Sequence, residues 1–368
     1  MAEQKPQSYD ERIYKGTDAY KVTAQNAAAS TAHNWRHFNY EEVPGSRGES
    51  VFVIDMGEFY LAGVLEGLGT KNLVADAYRG INSQSNYWPI AQCNVATRVN
   101  DLVVSGARPM VMWEHVAAGE TAWFADVERG TDLNLGTAAV CNEIGIVWAG
   151  GESPTLPDII VPDAAELSGF LLGEIKPKER YVRGDVLQAG DAIVLVESSG
   201  MHANGYSSAR DLAKKLPDEY ATLLEDGTPF GEALLKPTII YSDLVQSLLD
   251  EGLEVHRMEH ITGHGWRKLM RSERQFTYRM HQIPDAMAIY EFIQRHLGLS
   301  NYDMFDTYNM GAGLAIYLPP AEAPAAINIA EDRGRKAWDA GVVEEGPKQV
   351  VIEPLDNLVL PGSSINIR

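Results

Sequence analysis

The chain has 368 residues, more than one ordinary hydrophobic core accommodates, and we therefore expect two domains. Its 31 Lys and Arg residues are outnumbered by 51 Asp and Glu residues, which gives a formal net charge of -20. Binding to DNA or RNA depends on cationic side chains that neutralise phosphates. The composition therefore argues against a nucleic-acid partner, although a local basic pocket could still hold a small phosphate.

The two cysteines, Cys93 and Cys141, are too few for a disulfide framework or a four-thiolate zinc site. Residues 1–16 lack the apolar core of a signal peptide. No apolar run reaches the roughly 20 residues that span a bilayer. We therefore expect a cytoplasmic protein without a membrane partner.

The first half of the chain alternates between strand and helix patterns. Short apolar runs predict strands, and apolar residues three and four apart predict helices. The predicted helices cover residues 23–32, 90–106 and 131–145, and the predicted strands cover residues 51–56, 60–65, 109–116, 146–149 and 167–175. Residues 150–153 are predicted to form a turn after the fourth of these strands.

The charged segment over residues 176–184 interrupts this pattern, which then restarts. We place a domain boundary there, with one domain over residues 1–178 and the other over residues 179–368. The predicted strands of the second half cover residues 191–197, 276–280, 313–318, 338–343 and 349–352, and its helices cover residues 206–215, 238–251, 261–271, 286–297 and 321–331. This alternation predicts two α/β or α+β domains.

Residues 65–101 hold two features with chemical potential. The sequence GLGTK at residues 67–71 follows a predicted strand, so its backbone N–H groups could face a phosphate, although a simple tight turn is the commoner outcome. Asn100 and Asp101 sit inside an apolar helix. A buried carboxylate needs a metal, a cation or several hydrogen bonds, and the alternative is a surface Asp in water.

Glu152 follows two glycines after a buried strand, where a carboxylate could reach a metal-bound phosphate or stay solvated in a turn. In residues 197–210, His202 could act as a general acid or base, and the neighbouring serines and helix start could hold an anion. His260 and His264, four residues apart, could bind a metal. A phosphate-facing helix start with glycines exposed is an equally open interpretation.

The motifs come in one order along nearly the whole chain: YKG (14–16), GLGTK (67–71), VNDLVVSGARP (99–109), GGES (150–153), SSGMHANGYS (198–207), KPT (236–238), HITG (260–263), YNMGAG (308–313) and AWDAG (337–341). As an ordered set they resemble the aminoimidazole ribonucleotide synthetase family, also called phosphoribosylformylglycinamidine cyclo-ligases. The resemblance implies an N-terminal domain whose largely β sheet, flanked by helices, joins that of a partner in a homodimer. It also implies a C-terminal α/β domain beside it, with ATP and a small purine-pathway substrate in the cleft.

The reaction that the resemblance implies uses ATP to phosphorylate the formyl amide oxygen of formylglycinamidine ribonucleotide, after which the amidine nitrogen closes the imidazole ring. Carried over by position, the expected Mg²⁺ ligands are Glu66, Asp101 and Glu152. The expected ATP contacts are Gly67, Gly69, Thr70, Lys71, Asn100, Gly150 and Gly151. The expected substrate contacts are Ser198, Ser199, His202, His260, Thr262 and Gly263, and catalysis is assigned to His202, Lys71 and Asn204.

Three positions depart from the family pattern. Glu66 stands where the family usually has Asp, Cys93 where it often has an acidic residue, and His264 where it has Gly. These departures leave fold and ATP use as expected but keep the acceptor open. The alternatives are another superfamily activity, such as thiamine monophosphate kinase, selenophosphate synthetase or the hydrogenase maturation protein, and a non-catalytic nucleotide-binding paralogue.

Overall fold

The computed structural model of the chain describes residues 17–362 and contains two β-sheets with helices packed against them. This arrangement confirms the predicted α/β (α+β) fold class. The motif at residues 14–16 lies outside the described residues. Between residues 17 and 362, no helix combines the length and the apolar character needed to cross a membrane.

The first sheet has six strands in the order β1-β2-β3-β6-β4-β5, and its pairs are antiparallel apart from β4–β5. The strands are β1 (Glu41–Glu42), β2 (Phe52–Asp55), β3 (Tyr60–Gly67), β4 (Arg108–Ala118), β5 (Val147–Glu152) and β6 (Ala165–Ile175). The helices of this half are α1 (Asp18–Ala29), α2 (Asn72–Asn82), α3 (Tyr87–Val103), α4 (Thr121–Ala125) and α5 (Val127–Ile144), with 3-10 helices over Ala32–His37 and Lys178–Arg180.

The two faces of the first sheet differ. Helix α3 packs against one face, and its own side chains are buried along most of its length. On the other face, Leu65, Phe170 and Trp113 form one row across β3, β6 and β4. These three side chains are 71%, 37% and 38% exposed, so this face presents large apolar groups to solvent.

The second sheet has seven strands in the order β13-β12-β9-β11-β7-β10-β8. The strands are β7 (Ala192–Glu197), β8 (Arg257–His260), β9 (Phe276–Met280), β10 (Ala312–Leu318), β11 (Ala337–Glu345), β12 (Gln349–Ile352) and β13 (Leu358–Pro361). The α-helices are α6 (Tyr206–Ala213), α7 (Phe230–Leu235), α8 (Ser242–Asp250), α9 (Ala288–Leu297), α10 (Asn301–Thr307) and α11 (Ala323–Asp332). Four 3-10 helices cover Glu219–Ala221, Gly265–Met270, Pro320–Glu322 and Glu353–Leu355.

The hydrophobic core consists of two clusters, and each draws on both halves of the chain. One cluster joins Ile90 of α3 to Ile193 of β7, and the other joins Val99 of α3 to Val245 of α8. Helix α3 therefore serves both clusters. The predicted domain boundary after residue 178 falls between the last strand of the first sheet and the first strand of the second, and it stays a prediction.

The strands predicted over residues 276–280 and 349–352 coincide with β9 and β12 and are confirmed. Three other local predictions are wrong. Residues 150–152 end strand β5 and do not form a turn, because Gly151 and Glu152 pair with β4. The helix predicted over residues 238–251 begins only at Ser242, because the preceding backbone is bound by side chains of α3. The helix predicted over residues 261–271 shrinks to a 3-10 helix.

Candidate active site

Most of the predicted site segments, but not residues 150–152, meet at a cavity of about 150 Å³ between the two sheets. Its walls come from the end of β3 and the turn after it, from α3, from the loop after β7, from the segment before α8, and from the region that follows β8. The lining residues are Glu66, Gly67, Leu68, Gly69, Thr97, Asp101, His202, Ala203, Asn204, Thr238, His260, Thr262 and Lys268. A larger depression of about 390 Å³ beside the N-terminal helix contains none of the predicted site residues.

Asp101 occupies the last turns of α3 and meets His260, the final residue of β8. The Nδ1 atom of His260 lies 2.6 Å from Oδ1 of Asp101, so the ring donates to the carboxylate. Burial by itself would raise the pKa of Asp101, but the hydrogen bond and charge of His260 outweigh it, with help from Lys268, and lower that pKa. Asp101 is therefore a carboxylate at neutral pH. Asp101 is partly buried, with 13% of its side chain exposed, and it has the kind of partner that the sequence predicted for a buried carboxylate.

Glu66, the penultimate residue of strand β3, lies close to Asp101. Enclosure by protein raises the pKa of Glu66 to about 7, the negative charge of Asp101 adds to this effect, and Lys268 opposes it. The side chain still reaches solvent at the cavity mouth, where water screens part of the repulsion. Two carboxylates thus share one cavity, and their repulsion would be relieved by a cation.

This donor set fits Mg²⁺. Magnesium prefers hard oxygen ligands and is commonly held by one or two carboxylates together with phosphates of the substrate. Glu66 and Asp101 supply two such carboxylates to the cavity lining. Between residues 17 and 362, no cluster of three or more His, Cys, Asp or Glu side chains has the geometry to hold a metal.

Glu152 lies apart from Glu66 and Asp101 within one chain. The strand register places Gly67, Ser168, His115 and Glu152 in one row across β3, β6, β4 and β5. Three strand spacings, about 14 Å, therefore separate the backbone of Glu152 from that of Gly67. Glu152 is exposed, as are Gly150 and Gly151 before it. One chain does not assemble the expected set of three carboxylates, because β5 is the edge strand.

Lys71 is completely buried and does not line the cavity. Its Nζ donates to the carbonyl oxygen of His202 at 2.8 Å and to that of Lys236 at 2.6 Å. Burial in this pocket lowers the pKa of Lys71. Lys71 was expected to contact phosphate. In this structure its two hydrogen bonds instead connect the first half of the chain to two segments of the second half. Thr70, next to it, also lies outside the cavity lining.

We call residues 236–241 the strap, since this extended segment runs along α3. The Nε2 atom of Gln92 donates to the Thr238 carbonyl at 2.9 Å, and Sγ of Cys93 accepts from the Thr238 N–H at 3.2 Å. Buried backbone groups need such partners. Cys93, one of the departures from the family pattern, thus serves as an acceptor for the strap.

Asn100 also binds the strap. Its Nδ2 donates to the Ile239 carbonyl at 2.8 Å, and its Oδ1 accepts from the Tyr241 N–H at 3.0 Å. The amide therefore imitates a backbone group of a neighbouring strand. Asn100 is completely buried and lies outside the cavity lining, so the structure does not bring this expected ATP contact to the cavity.

His202 is buried in the loop after β7, in a left-handed conformation with φ of 56°. Its Nε2 accepts from the Ser199 N–H at 3.2 Å. Burial lowers the pKa of His202 well below 6.5, and the charges of His260 and Lys71 lower it further. The ring is thus neutral at neutral pH and its basic nitrogen is occupied. This geometry favours a hydrogen-bond donor over the expected acid–base group.

The other expected substrate contacts divide into two groups. His260 and Thr262 line the cavity together with the expected catalytic Asn204, whereas Gly263 does not. The hydroxyls of Ser198 and Ser199 are instead occupied by hydrogen bonds within the protein. Ser198 Oγ donates to Asn309 Oδ1 at 2.9 Å, and Ser199 Oγ donates to the Pro237 carbonyl at 2.6 Å. These serines therefore shape the loop.

His264 does not join His260 in a metal site. Burial lowers the pKa of His264 to about 4, and the charges of Lys268 and Arg267 act in the same direction. Its backbone adopts φ of 72°, a left-handed conformation in which the family's glycine is easier to place. His260 ends β8 and lines the cavity, whereas His264 precedes the 3-10 helix and lies outside the cavity lining.

Sequence reasoning missed five residues of the lining: the apolar Leu68 and Ala203, and the polar Thr97, Thr238 and Lys268. Thr97 lies one helical turn before Asp101, so helical spacing would have found it. Lys268 lies in the stretch predicted as an ordinary helix. Thr238 belongs to the motif KPT, to which no role was assigned, and no local signal distinguishes its hydroxyl.

Family models match most of the chain. Residues 49–174 match the model described as AIR synthase related protein, N-terminal domain, and residues 188–353 match the model of the corresponding C-terminal domain. The chain belongs to the AIR synthase related family. The resemblance drawn from the motifs is confirmed, and so is the prediction of an enzyme at the level of this family.

Individual relatives agree with this assignment. The chain is 31% identical over 317 residues to the phosphoribosylformylglycinamidine cyclo-ligase of Methanocaldococcus jannaschii, covering 85% of this chain and 83% of the relative. Among solved structures, the HypE–HypF complex matches with a TM-score of 0.60 at 16% identity, over 87% of this chain and 94% of that one. T. maritima PurL complexed with AMPPCP matches with a TM-score of 0.56 at 15% identity, over 86% and 45%. At these identities the structures share the fold.

Proposed function

We propose that this protein catalyses the ATP-dependent cyclisation of formylglycinamidine ribonucleotide to aminoimidazole ribonucleotide. The observation that carries the proposal is the meeting of the Glu66–Asp101 carboxylate pair, Lys268 and the His202 loop in one cavity. The relative of 31% identity is named for this reaction. Structural neighbours are described in complex with ATP or its analogue AMPPCP, which supports ATP as the second substrate.

Glu66 and Asp101 would hold Mg²⁺. When bound, the cation would neutralise charge on the transferring phosphoryl group. Lys268 adds a positive charge on the same part of the lining. Gly69, with φ of 74°, leaves the backbone of the turn open to a phosphate because it carries no side chain.

The remaining residues position the walls. Lys71 holds the His202 loop to the strap, and Asn100 holds the strap to α3. In an ATP-dependent ring closure, orientation of the two reacting groups supplies much of the rate, since catalysis of phosphoryl transfer is largely positioning and electrostatics. We assign Lys71 and Asn100 to positioning and not to direct phosphate contact.

The cavity must widen to accept its substrates. Sites for small molecules usually enclose roughly 300–1,000 Å³, whereas this cavity has about 150 Å³. The flanking loops contain Gly200 with φ of 139° and Gly265 with φ of 51°, conformations that favour glycine. We propose that these loops part on binding and close over the nucleotide and its acceptor.

We further propose a homodimer through the open face of the first sheet. Large exposed apolar groups in one row mark interaction surfaces, and Leu65, Phe170 and Trp113 form such a row. Glu152 lies in the same sheet at its edge strand. A part for Glu152 in metal binding therefore requires the second copy.

The proposal is tested by ATP turnover and product formation with formylglycinamidine ribonucleotide. We expect ADP release that depends on this substrate and on Mg²⁺, with aminoimidazole ribonucleotide as the product. A thermal shift with ATP–Mg²⁺ that grows on addition of the ribonucleotide would support it, because a ligand of the native state stabilises that state. A folded sample that binds ATP–Mg²⁺ but releases no ADP with the ribonucleotide would contradict it.

The alternatives remain outcomes of the same assay. ADP release with thiamine monophosphate or another acceptor, and none with the purine intermediate, would indicate a different superfamily activity. Nucleotide binding without turnover on any acceptor would indicate a non-catalytic paralogue. No observation in the cavity favours either over the cyclo-ligase.

A further inference from the structure

Two polar atoms in residues that line the cavity have no hydrogen-bond partner among residues 17–362. They are Oγ1 of Thr238 and Nδ1 of His202. Thr238 is 0% exposed and His202 is 1% exposed. Buried polar groups in native proteins nearly always have a partner, and leaving one unpaired is destabilising. Two such groups on one cavity indicate that their partner is a ligand.

The protonation of His202 follows from its environment. Its Nε2 accepts from the Ser199 backbone N–H, so the neutral ring carries its proton on Nδ1. Burial keeps the ring neutral by lowering its pKa well below 6.5. At neutral pH the unpaired Nδ1 is therefore a donor. The Thr238 hydroxyl is able to donate as well.

Ser199 links the two donors. Its N–H binds the ring of His202, and its Oγ donates to the carbonyl of Pro237, the residue before Thr238. The Thr238 backbone is itself fixed on both sides, through its N–H to Cys93 and its carbonyl to Gln92. The structure therefore holds both residues in place before any ligand binds. This reduces the conformational entropy that the protein loses on binding.

We propose that the Thr238 hydroxyl and the Nδ1–H of His202 form a pair of neutral donors for an uncharged oxygen of the acceptor substrate, and that this pair determines substrate specificity. The charged groups of the lining, Glu66, Asp101 and Lys268, suit phosphate and metal. An uncharged amide oxygen loses less hydration on burial than a phosphate does, so it suits the neutral pair. The inference rests on the proposed function in naming this oxygen as that of the formyl amide.

The test uses Thr238→Val, which keeps the shape of the side chain and removes the hydroxyl, and Thr238→Ser, which keeps the hydroxyl. Calorimetry measures binding of formylglycinamidine ribonucleotide and of its analogue without the formyl group. We expect Thr238→Val to weaken binding of the formyl substrate about tenfold, the effect of one hydrogen bond. Binding of the analogue should stay unchanged, and Thr238→Ser should restore most of the affinity for the substrate.

Stability separates this role from a structural one. Because the hydroxyl of Thr238 is unpaired, Thr238→Val should unfold, without ligand, at a temperature no lower than the wild type. Thr137 of α5 is the matched control, since it is also completely buried with an unpaired hydroxyl and lies outside the cavity lining. Thr137→Val should behave alike in melting and leave binding of the substrate unchanged.

Several results would overturn the inference. A Thr238→Val protein that binds the formyl substrate as the wild type does would do so, and so would one that melts at a clearly lower temperature than the wild type. A nitrogen-15 spectrum of the ligand-free protein at neutral pH should show His202 neutral with its proton on Nδ1, and the other tautomer would contradict the pair. If the wild type binds no formylglycinamidine ribonucleotide, the proposed function fails, and the donor pair is judged on the melting and tautomer results alone.

Discussion

Oδ1 of Asp101 and Nδ1 of His260 lie 2.6 Å apart. This hydrogen bond connects helix α3, in the first half of the chain, to the end of strand β8 in the second half. The contact keeps Asp101 charged within a largely buried site. Beside it, burial and the negative charge of Asp101 raise the pKa of Glu66 to about 7. At neutral pH the cavity therefore holds one carboxylate that is fully charged, Asp101, and one, Glu66, whose ionisation a bound cation would favour.

Asp101→Asn removes the negative charge of the carboxylate but keeps an oxygen that can accept the hydrogen bond from His260. Hydrogen bonds and ligand contacts of charged groups contribute about 1.5–3 kcal/mol, so we expect the affinity for ATP–Mg²⁺ to fall roughly 10–100-fold. Calorimetric titration measures it. Asp250→Asn is the control, because Asp250 pairs with Arg180 at 2.6 Å outside the cavity. Unchanged binding in Asp101→Asn would rule out its metal role.

Asn100→Ala should destabilise the fold. The substitution leaves the carbonyl of Ile239 and the N–H of Tyr241 without their partner, and each buried orphan costs about 1–3 kcal/mol. We expect the free energy of unfolding in urea to fall by roughly 2–4 kcal/mol in sum. Asn301→Ala, which removes an exposed contact with Gln294, should change it by less than about 0.5 kcal/mol. Equal losses in the two variants would disprove the role of Asn100 in holding the strap.

His256 makes stability depend on pH. Burial alone would lower the pKa of His256, but hydrogen bonds to Asp191 and Glu254 outweigh burial and raise that pKa above 6.5. A raised pKa in the folded state means that the charged ring stabilises the protein fully below pH 6.5 and loses this effect as the pH rises through the folded-state value.

We therefore expect the difference in free energy of unfolding between wild type and His256→Gln to be largest in mildly acid solution and to shrink in alkaline solution. Urea unfolding at a series of pH values from about 5.5 to 8.5 measures it. His281, whose Nε2 lies 3.0 Å from the backbone carbonyl of Asp339 and which has no carboxylate contact in the described structure, provides the control. A difference that stays constant across the series would contradict the prediction.

Gly265→Ala should be more harmful than Gly298→Ala. Both glycines have a left-handed backbone, with φ of 51° and 64°, which costs an alanine about 1–2 kcal/mol. A methyl group at Gly265 would also collide with the carbonyl of Phe305 and lie 2.8 Å from that of Tyr308, whereas one at Gly298 meets open space. Overpacking adds about 1–3 kcal/mol. Thermal unfolding of the two variants compares them, and similar melting temperatures would count against the crowding.

Trp113→Asp tests the dimer surface. A charge in the row that includes Leu65 and Phe170 would have to be buried if a second copy packs there, and burying an unpaired charge is unfavourable. We expect a dimer for the wild type and a monomer for this variant in size-exclusion chromatography with light scattering. Val127→Asp, on the exposed start of α5, should remain dimeric. A wild type that elutes as a monomer would disprove the interface.

Features that depend on residues close together in the chain could be predicted from the sequence. Asp101 stood out as a charge within an apolar helix, and it does have a buried partner. The apolar stretch over residues 313–318 predicted a strand, and it lies within β10, whose residues are all buried. Such signals depend on neighbours in the chain, so one sequence suffices to detect them.

Contacts between distant segments were beyond the same reasoning. Lys71 and Asn100 looked like ligand contacts, yet their partners are backbone groups more than a hundred positions away. Strand β8 carries the sequence RMEH, whose burial comes from neighbouring elements and not from its composition. Glu152 was assigned to the metal by its position in the family pattern, and the glycine pair before it suggested a turn, whereas the structure places all three residues in edge strand β5.

The two hydrophobic clusters determine how we expect the protein to unfold. Since each cluster joins side chains from both sheets, with α3 between them, neither half has a complete interior of its own. A fragment ending near residue 178 would expose Ile90 and Val99 to water. We expect such a fragment not to fold alone and the whole chain to melt in one transition. We therefore expect the two regions matched by the family models to unfold together as one cooperative unit.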